Sequence, residues 1–290
     1  MCDAFTVEDN ERHLGEAMSR RTFGAMAGAA GLMLALPSPA NALAVTGRDV
    51  SIKTPDGTAD AWFVAPASGR HPGVLMWPDI MGLRPAFQQM ARRLAESGYA
   101  VLVVNQFYRS TKAPFLAAGE SFDQPDVRAR IAPWRELLSP EATTRDAAAF
   151  VAFLDAQPQV DRKRGLGSAG YCMGGPMTIR TAAARADRVR AAASFHGAGL
   201  VGVEPDSPNN LLARTRASYL IAIAANDDAR APTEKDVLRA AAAAAHRPAE
   251  IEVYAGTMHG WCPPDSKVYN QPQAERAWAR MLALFGKAMA

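Results

Sequence analysis

Leu166-Gly167-Ser168-Ala169-Gly170-Tyr171-Cys172-Met173-Gly174-Gly175 carries a short apolar run into a glycine-flanked cysteine, and a helical pattern begins near Pro176. Gly170-x-Cys172-x-Gly174 is the spacing of a nucleophile set on a sharp strand-to-helix elbow. The turn strains the backbone of the nucleophile and leaves almost no room two residues before and after it, so both flanking positions must be nearly bare. A sulfur there stands at a helix N-terminus, where unpaired N–H groups and the helix dipole favour a thiolate. The N–H of Met173 would supply half of an oxyanion hole. A buried packing cysteine beside a glycine turn is the competing reading.

A nucleophile of this kind is followed in the chain by an acid and then a histidine. Ser218 to Ala224 is an apolar, partly β-branched run that reads as a strand and ends in Asn226-Asp227-Asp228-Ala229-Arg230-Ala231-Pro232, where two acids compete. Glu250 to Tyr254 alternates like a half-buried strand, and the next loop holds Met258-His259-Gly260-Trp261. His259 is therefore the expected base. His196 follows the apparent strand Ala191 to Phe195 but precedes the acids in the chain, which assigns it to the pocket wall.

Together these residues resemble the dienelactone hydrolase family, from about Thr54 onward. The resemblance is carried by Gly170-Tyr171-Cys172-Met173-Gly174-Gly175, the Asp228-x-x-x-Pro232 spacing, His259-Gly260, and Trp77-Pro78-Asp79-Ile80-Met81-Gly82-Leu83 after the strand Val74 to Trp77. It implies Asp228 as the triad acid. It also implies that Ile80 supplies the second oxyanion N–H, with Asp79 standing where the family has a glutamate that contacts the resting cysteine. Arg109, in Phe107-Tyr108-Arg109, matches an arginine that helps to hold a substrate carboxylate, bidentately if it does so. The family's other such arginine, four residues past the histidine, is Pro263 here. The implied activity is hydrolysis of a lactone, carboxylic ester or thioester through a Cys172–His259–Asp228 triad and an acyl-enzyme.

The chain's start carries a different signal. Ser19-Arg20-Arg21-Thr22-Phe23 is a twin-arginine export motif, followed by an apolar stretch from Gly24 to Leu36 and a small-residue cleavage site at Ala40-Asn41-Ala42. Residues 1–42 are expected to be a signal peptide recognised by the twin-arginine export machinery, and residues 43–290 a single hydrolase domain placed in the periplasm or outside the cell. The apolar stretch is shorter than the roughly 20 residues a span requires, so no stable membrane span is expected after cleavage. The segment carries three arginines and five acids, which leaves 43–290 with 29 basic and 24 acidic residues. That charge is mild and dispersed, and no basic run interleaved with aromatics points to nucleic acid. No Cys-x-x-Cys pair or histidine cluster suggests a metal or other cofactor. Cys172 and Cys262 remain after cleavage, and a reversible, inactivating disulfide between them is one expectation. A thiol redox or transfer protein using that pair, or a non-catalytic binding protein on the same fold, are the alternative functions.

The rest of the chain fits this frame. Val50 to Lys53 and Ala61 to Val64, joined at Pro55-Asp56-Gly57, predict an antiparallel pair at the sheet edge. Phe87, Met90, Ala91 and Leu94 predict a helix ended by Gly98. Ser139-Pro140 caps another, Thr233-x-x-Asp236 reads as a capping box, and Trp278, Met281, Leu282 and Phe285 mark the inner face of a last helix. Residues 106–138 read as a long mixed excursion. Strands alternating with helices imply an α/β architecture of the α/β-hydrolase type: a mainly parallel, twisted sheet with helices on both faces.

Overall fold

A computed structural model describes residues 4–20 and 36–290. Eight strands form one sheet in the order β1-β2-β4-β3-β5-β6-β7-β8. β1 (Val45–Thr54) and β2 (Gly57–Pro66) are the antiparallel pair expected at the edge, turning at Gly57. β2 also runs antiparallel to β4 (Ala100–Val104). The remaining neighbours are parallel: β4, β3 (Gly73–Trp77), β5 (Leu166–Tyr171), β6 (Val189–Phe195), β7 (Ser218–Ala224) and β8 (Ala249–Tyr254). β3, β4 and β5 are buried along their whole length, as strands covered on both faces must be.

Helices cover both faces. α1 (Ala4–Arg20) precedes the sheet. α2 (Pro85–Glu96) packs on the side of α9 (Gln271–Ala288), whose Trp278, Met281 and Phe285 are buried as their spacing predicts, while Leu282 is only half-buried. α4 (Pro140–Asp155), α5 (Gly174–Ala184), the single turn α6 (Pro208–Leu211) and α8 (Glu234–Ala244) lie on the other side. Ser139 caps α4 by accepting from Ala142 N, with Pro140 in the first turn. Gly98 follows α2 at a φ of 95°, a conformation glycine adopts without strain. The capping box expected at Thr233 does not form. Thr233 is itself helical, at φ −89° and ψ −15°, and its hydroxyl makes no cap bond.

Residues 106–138 contain α3 (Pro125–Glu136), which periodicity did not reveal. Pro133 lies within it and only Val127 and Ile131 are buried, so its apolar stripe is too narrow to read. Phe107, Phe115 and Trp134 meet edge-on or tilted, with centroids 5.2–6.0 Å apart, and fix this excursion beside the ends of the central strands. The twin-arginine motif from Arg21 on and the apolar run through Ala35 lie outside the described residues. Among the described residues no helix is long and apolar enough to cross a membrane.

Candidate active site

Cys172 sits where β5 turns into α5, at a φ of 54°. Its N–H donates to Phe195 O at 3.0 Å and its carbonyl accepts from Gly175 N at 2.9 Å, so the elbow is pinned from both sides. A Cβ at Gly170 would lie against the Gly174 carbonyl, and one at Gly174 against the Trp77 carbonyl. The two flanking glycines are thus steric requirements of the turn.

His259 lies past the end of β8 and is 4 % exposed. Its backbone N–H donates to Asn226 Oδ1 at 2.8 Å, and its Nδ1 is 2.8 Å from Asp227 Oδ2. A carboxylate can only accept, so Nδ1 carries the hydrogen and Nε2 is left as the basic nitrogen. The expected acid, Asp228, is elsewhere: its Oδ1 takes Lys235 Nζ at 2.6 Å. The reason is local structure. Both acids belong to α7 (Ala225–Arg230), and successive helical residues point about 100° apart, so one helix can offer His259 only one of them.

Asp79 and Ile80 follow β3 and lie close under the surface, 7 % and 5 % exposed. Neither Ile80 N–H nor Met173 N–H donates to an acceptor among the described residues. Asp79, which stands where the family has a glutamate, is engaged by an arginine. Its two carboxylate oxygens bind Arg84 at 2.7 and 3.0 Å, and Oδ1 also accepts from Met81 N. Arg84 reaches Asp265 as well, at 2.6 and 2.9 Å. Burial alone would lower the Arg84 pKa, but Asp79 and Asp265 outweigh it and hold the guanidinium charged. Arg109 is also redirected. It grips Asp146 with two nitrogens at 2.8 and 2.9 Å and Asp56 at 2.5 Å, away from the cavity that Cys172 lines.

That cavity, of about 500 Å³, brings together Cys172, His259, His196, Asp79 and Ile80. Leu116, Phe122 and Val268 make part of its wall apolar. His196 is 1 % exposed, at a φ of 39°, and stands edge-on to His259 and Trp261 with centroids 5.0 and 5.1 Å away. Neither ring nitrogen has a partner among the described residues. Burial, and then the neighbouring His259, push its pKa well down, so it stays neutral. It forms part of the cavity wall. Cys172 is engaged in a disulfide. Cys262 is a free, buried thiol whose pKa burial pushes well up, so the expected Cys172–Cys262 pairing is not the one present.

Sequence reasoning missed Arg84, Asp265 and the residues of α1 that line the cavity: Thr6, Val7, Asn10, Glu11 and Leu14. The signal for α1 was in plain view, because Val7, Asn10, Glu11 and Leu14 recur at the spacing of one helix face.

A profile of the dienelactone hydrolase family matches residues 59–289. A Methylorubrum extorquens protein, provisionally named a carboxymethylenebutenolidase, is 27% identical, with 91% of each chain covered. The carboxymethylenebutenolidase of Rhodococcus opacus is 27% identical, covering 75% of this chain and 82% of its own. Among solved structures, a provisionally assigned dienelactone hydrolase from Klebsiella pneumoniae superposes with a TM-score of 0.71 at 24% identity, over 84% of this chain and 99% of its own.

Proposed function

Because the chain belongs to the dienelactone hydrolase family, we propose that it hydrolyses an uncharged lactone or carboxylic ester through Cys172, His259 and Asp227. Hydrolysis of ester bonds follows from the family and from the carboxymethylenebutenolidases it resembles. The observation that carries the residue assignment is the Asp227–His259 bond behind a cavity that Cys172 also lines. With its disulfide opened, the Cys172 thiol gives its proton to His259 Nε2, the thiolate attacks the acyl carbon, and the oxyanion meets the N–H groups of Ile80 and Met173. One such donor is worth about 3 kcal/mol of transition-state stabilisation. The C–O bond breaks as His259 protonates the departing alkoxide. Water, deprotonated by Nε2, then adds to the thioester, and the acid leaves as the thiolate re-forms.

Charge supports the uncharged substrate. Among the described residues, the cations lining the cavity are Arg84, held by Asp79 and Asp265, and Lys267, paired with Asp123. A substrate carboxylate would have to displace one of these acids. The test is hydrolysis by the reduced protein of a neutral aryl ester beside its carboxylate-bearing analogue. Turnover should favour the neutral ester and should fall by about 10⁴-fold in Cys172→Ala. An unchanged rate in that variant removes the assignment. Ligand binding that survives in both proteins without turnover would make it a binding protein instead. We also propose that residues 1–42 direct export by the twin-arginine route, resting on the motif and the small residues at Ala40-Asn41-Ala42.

A further inference from the structure

We infer that His196 serves the reaction as a second imidazole: its ring N–H donates to the ester's alkoxy oxygen as the C–O bond breaks, beside the proton that His259 supplies, and so suits the site to alkyl esters and lactones. This deepens the reading of Cys172 as nucleophile and rests on it. His196 is 1 % exposed, yet it lines the cavity that Cys172 and His259 also line. Both of its ring nitrogens are buried and make no hydrogen bond among the described residues. A buried histidine ordinarily satisfies them, because an unmet buried donor costs free energy. The ring is held by other rings instead: edge-on to His259 and Trp261, and tilted against Tyr171 with centroids 6.2 Å apart. Its backbone is held as firmly. The His196 N–H donates to Ala222 O at 2.8 Å, and the Phe195 carbonyl just before it accepts from Cys172 N. A φ of 39° is one that residues other than glycine rarely take, and such strain collects at functional sites. A polar ring fixed at a strained position and left without a polar partner is matched by a polar group of the substrate.

The place of that group follows from His259. His259 must reach the departing oxygen to protonate it, so the alkoxy group leaves on the His259 side of the sulfur. The His196 and His259 ring centroids are 5.0 Å apart. That is close enough for one oxygen to lie about 2.8 Å from a nitrogen of each ring. Burial keeps His196 neutral, with one N–H and one lone pair, and since neither nitrogen is bonded the hydrogen can sit on the one that faces the oxygen. A sulfur nucleophile has particular need of this donor. The tetrahedral intermediate can expel either the Cys172 thiolate or the alkoxide. The thiolate, a much weaker base, leaves first unless the alkoxy oxygen is stabilised. His196 donates to that oxygen, the C–O bond breaks with its electron pair on oxygen, and the proton held by His259 completes the alcohol. His196 keeps its own hydrogen throughout. A thiolate or a nitrophenolate leaves without such help, so the donor matters most for an unactivated ester or lactone.

Reduced protein tests this with three acetyl donors that differ at the leaving atom: ethyl acetate, S-ethyl thioacetate and 4-nitrophenyl acetate. The readout is kcat/KM for each in the parent, in His196→Phe and in His196→Gln. His196→Phe keeps an aromatic ring without the N–H and should lose about 10–100-fold on ethyl acetate. That loss should exceed the loss on the thioester or the aryl ester by about tenfold or more. Misfolded protein cannot produce such a ratio, because it lowers all three rates alike. His196→Gln retains an N–H donor and should recover about tenfold on ethyl acetate relative to His196→Phe. Equal losses on the three substrates, total loss included, overturn this role for His196, as does a glutamine variant no better than the phenylalanine one. Either result leaves Cys172 as nucleophile when the parent turns all three over. A parent that cleaves none of them sinks the hydrolytic reading of Cys172, and the part of His196 with it.

Discussion

The loops after β5 and β7 each deliver one member of the proposed triad, yet they encode it differently. At the β5 elbow the sequence constrains nearly every position. Cys172 takes a φ of 54°, and a side chain on Gly170 or Gly174 would run into backbone carbonyls. At the end of β7 the sequence offers adjacent carboxylates, Asp227 and Asp228, with no steric mark on either. The choice is made by a short helix that turns one acid to His259 and the other to Lys235. A role fixed by backbone strain is legible in a sequence, whereas a role fixed by helical phase is settled only once the helix start is known.

The sharpest way to break this comparison is to neutralise each acid separately. Asp227→Asn should cut kcat by about 10²–10⁴-fold, because His259 loses the partner that fixes its tautomer. Asp228→Asn removes a half-exposed ion pair and should change kcat less than about threefold. Equal losses in the two variants would dissolve the distinction. At the other loop, Gly170→Ala should lower stability by about 1–3 kcal/mol in denaturant melts, since the added methyl would run into the Gly174 carbonyl and the Thr178 methyl. A neutral result there would remove the steric account of the elbow.

His196 sharpens the comparison further, because it also has a positive φ at a strand end but stays neutral behind His259. A histidine in the unfolded chain takes a proton near pH 6.5. Below that pH the unfolded chain holds a proton that buried His196 refuses, so stability falls as pH drops and is untouched above it. The slope is at most about 1.4 kcal/mol per pH unit. His196→Gln should therefore lose less stability between pH 7 and pH 5 than the parent chain. An equal loss would show that His196 is not held neutral.

Much of the fold was legible. The apolar runs at Val74, Ala100, Leu166, Ala191 and Ser218 became the inner strands because parallel strands covered on both faces must be apolar throughout. Cys172, His259 and His196 were placed by the order of strand ends, and all three line one cavity. Beyond the choice between Asp227 and Asp228, what the sequence did not show was decided by partner side chains. Arg109 is claimed by Asp146, 37 residues on, and Asp79 by Arg84, itself fixed by Asp265 across 181 residues. α1 was missed for another reason: residues 1–42 read as an export signal, so the helix spacing of Val7, Asn10, Glu11 and Leu14 was not weighed as part of a pocket.

The central claim is that Cys172 takes the acyl group. Reduced protein quenched within one turnover of 4-nitrophenyl acetate and mapped by peptide mass spectrometry tests it most directly. The acetyl group should sit on the peptide containing Cys172, at close to one per chain, and disappear on longer incubation with water as His259 releases it. Steady turnover with that peptide never acetylated would contradict the account.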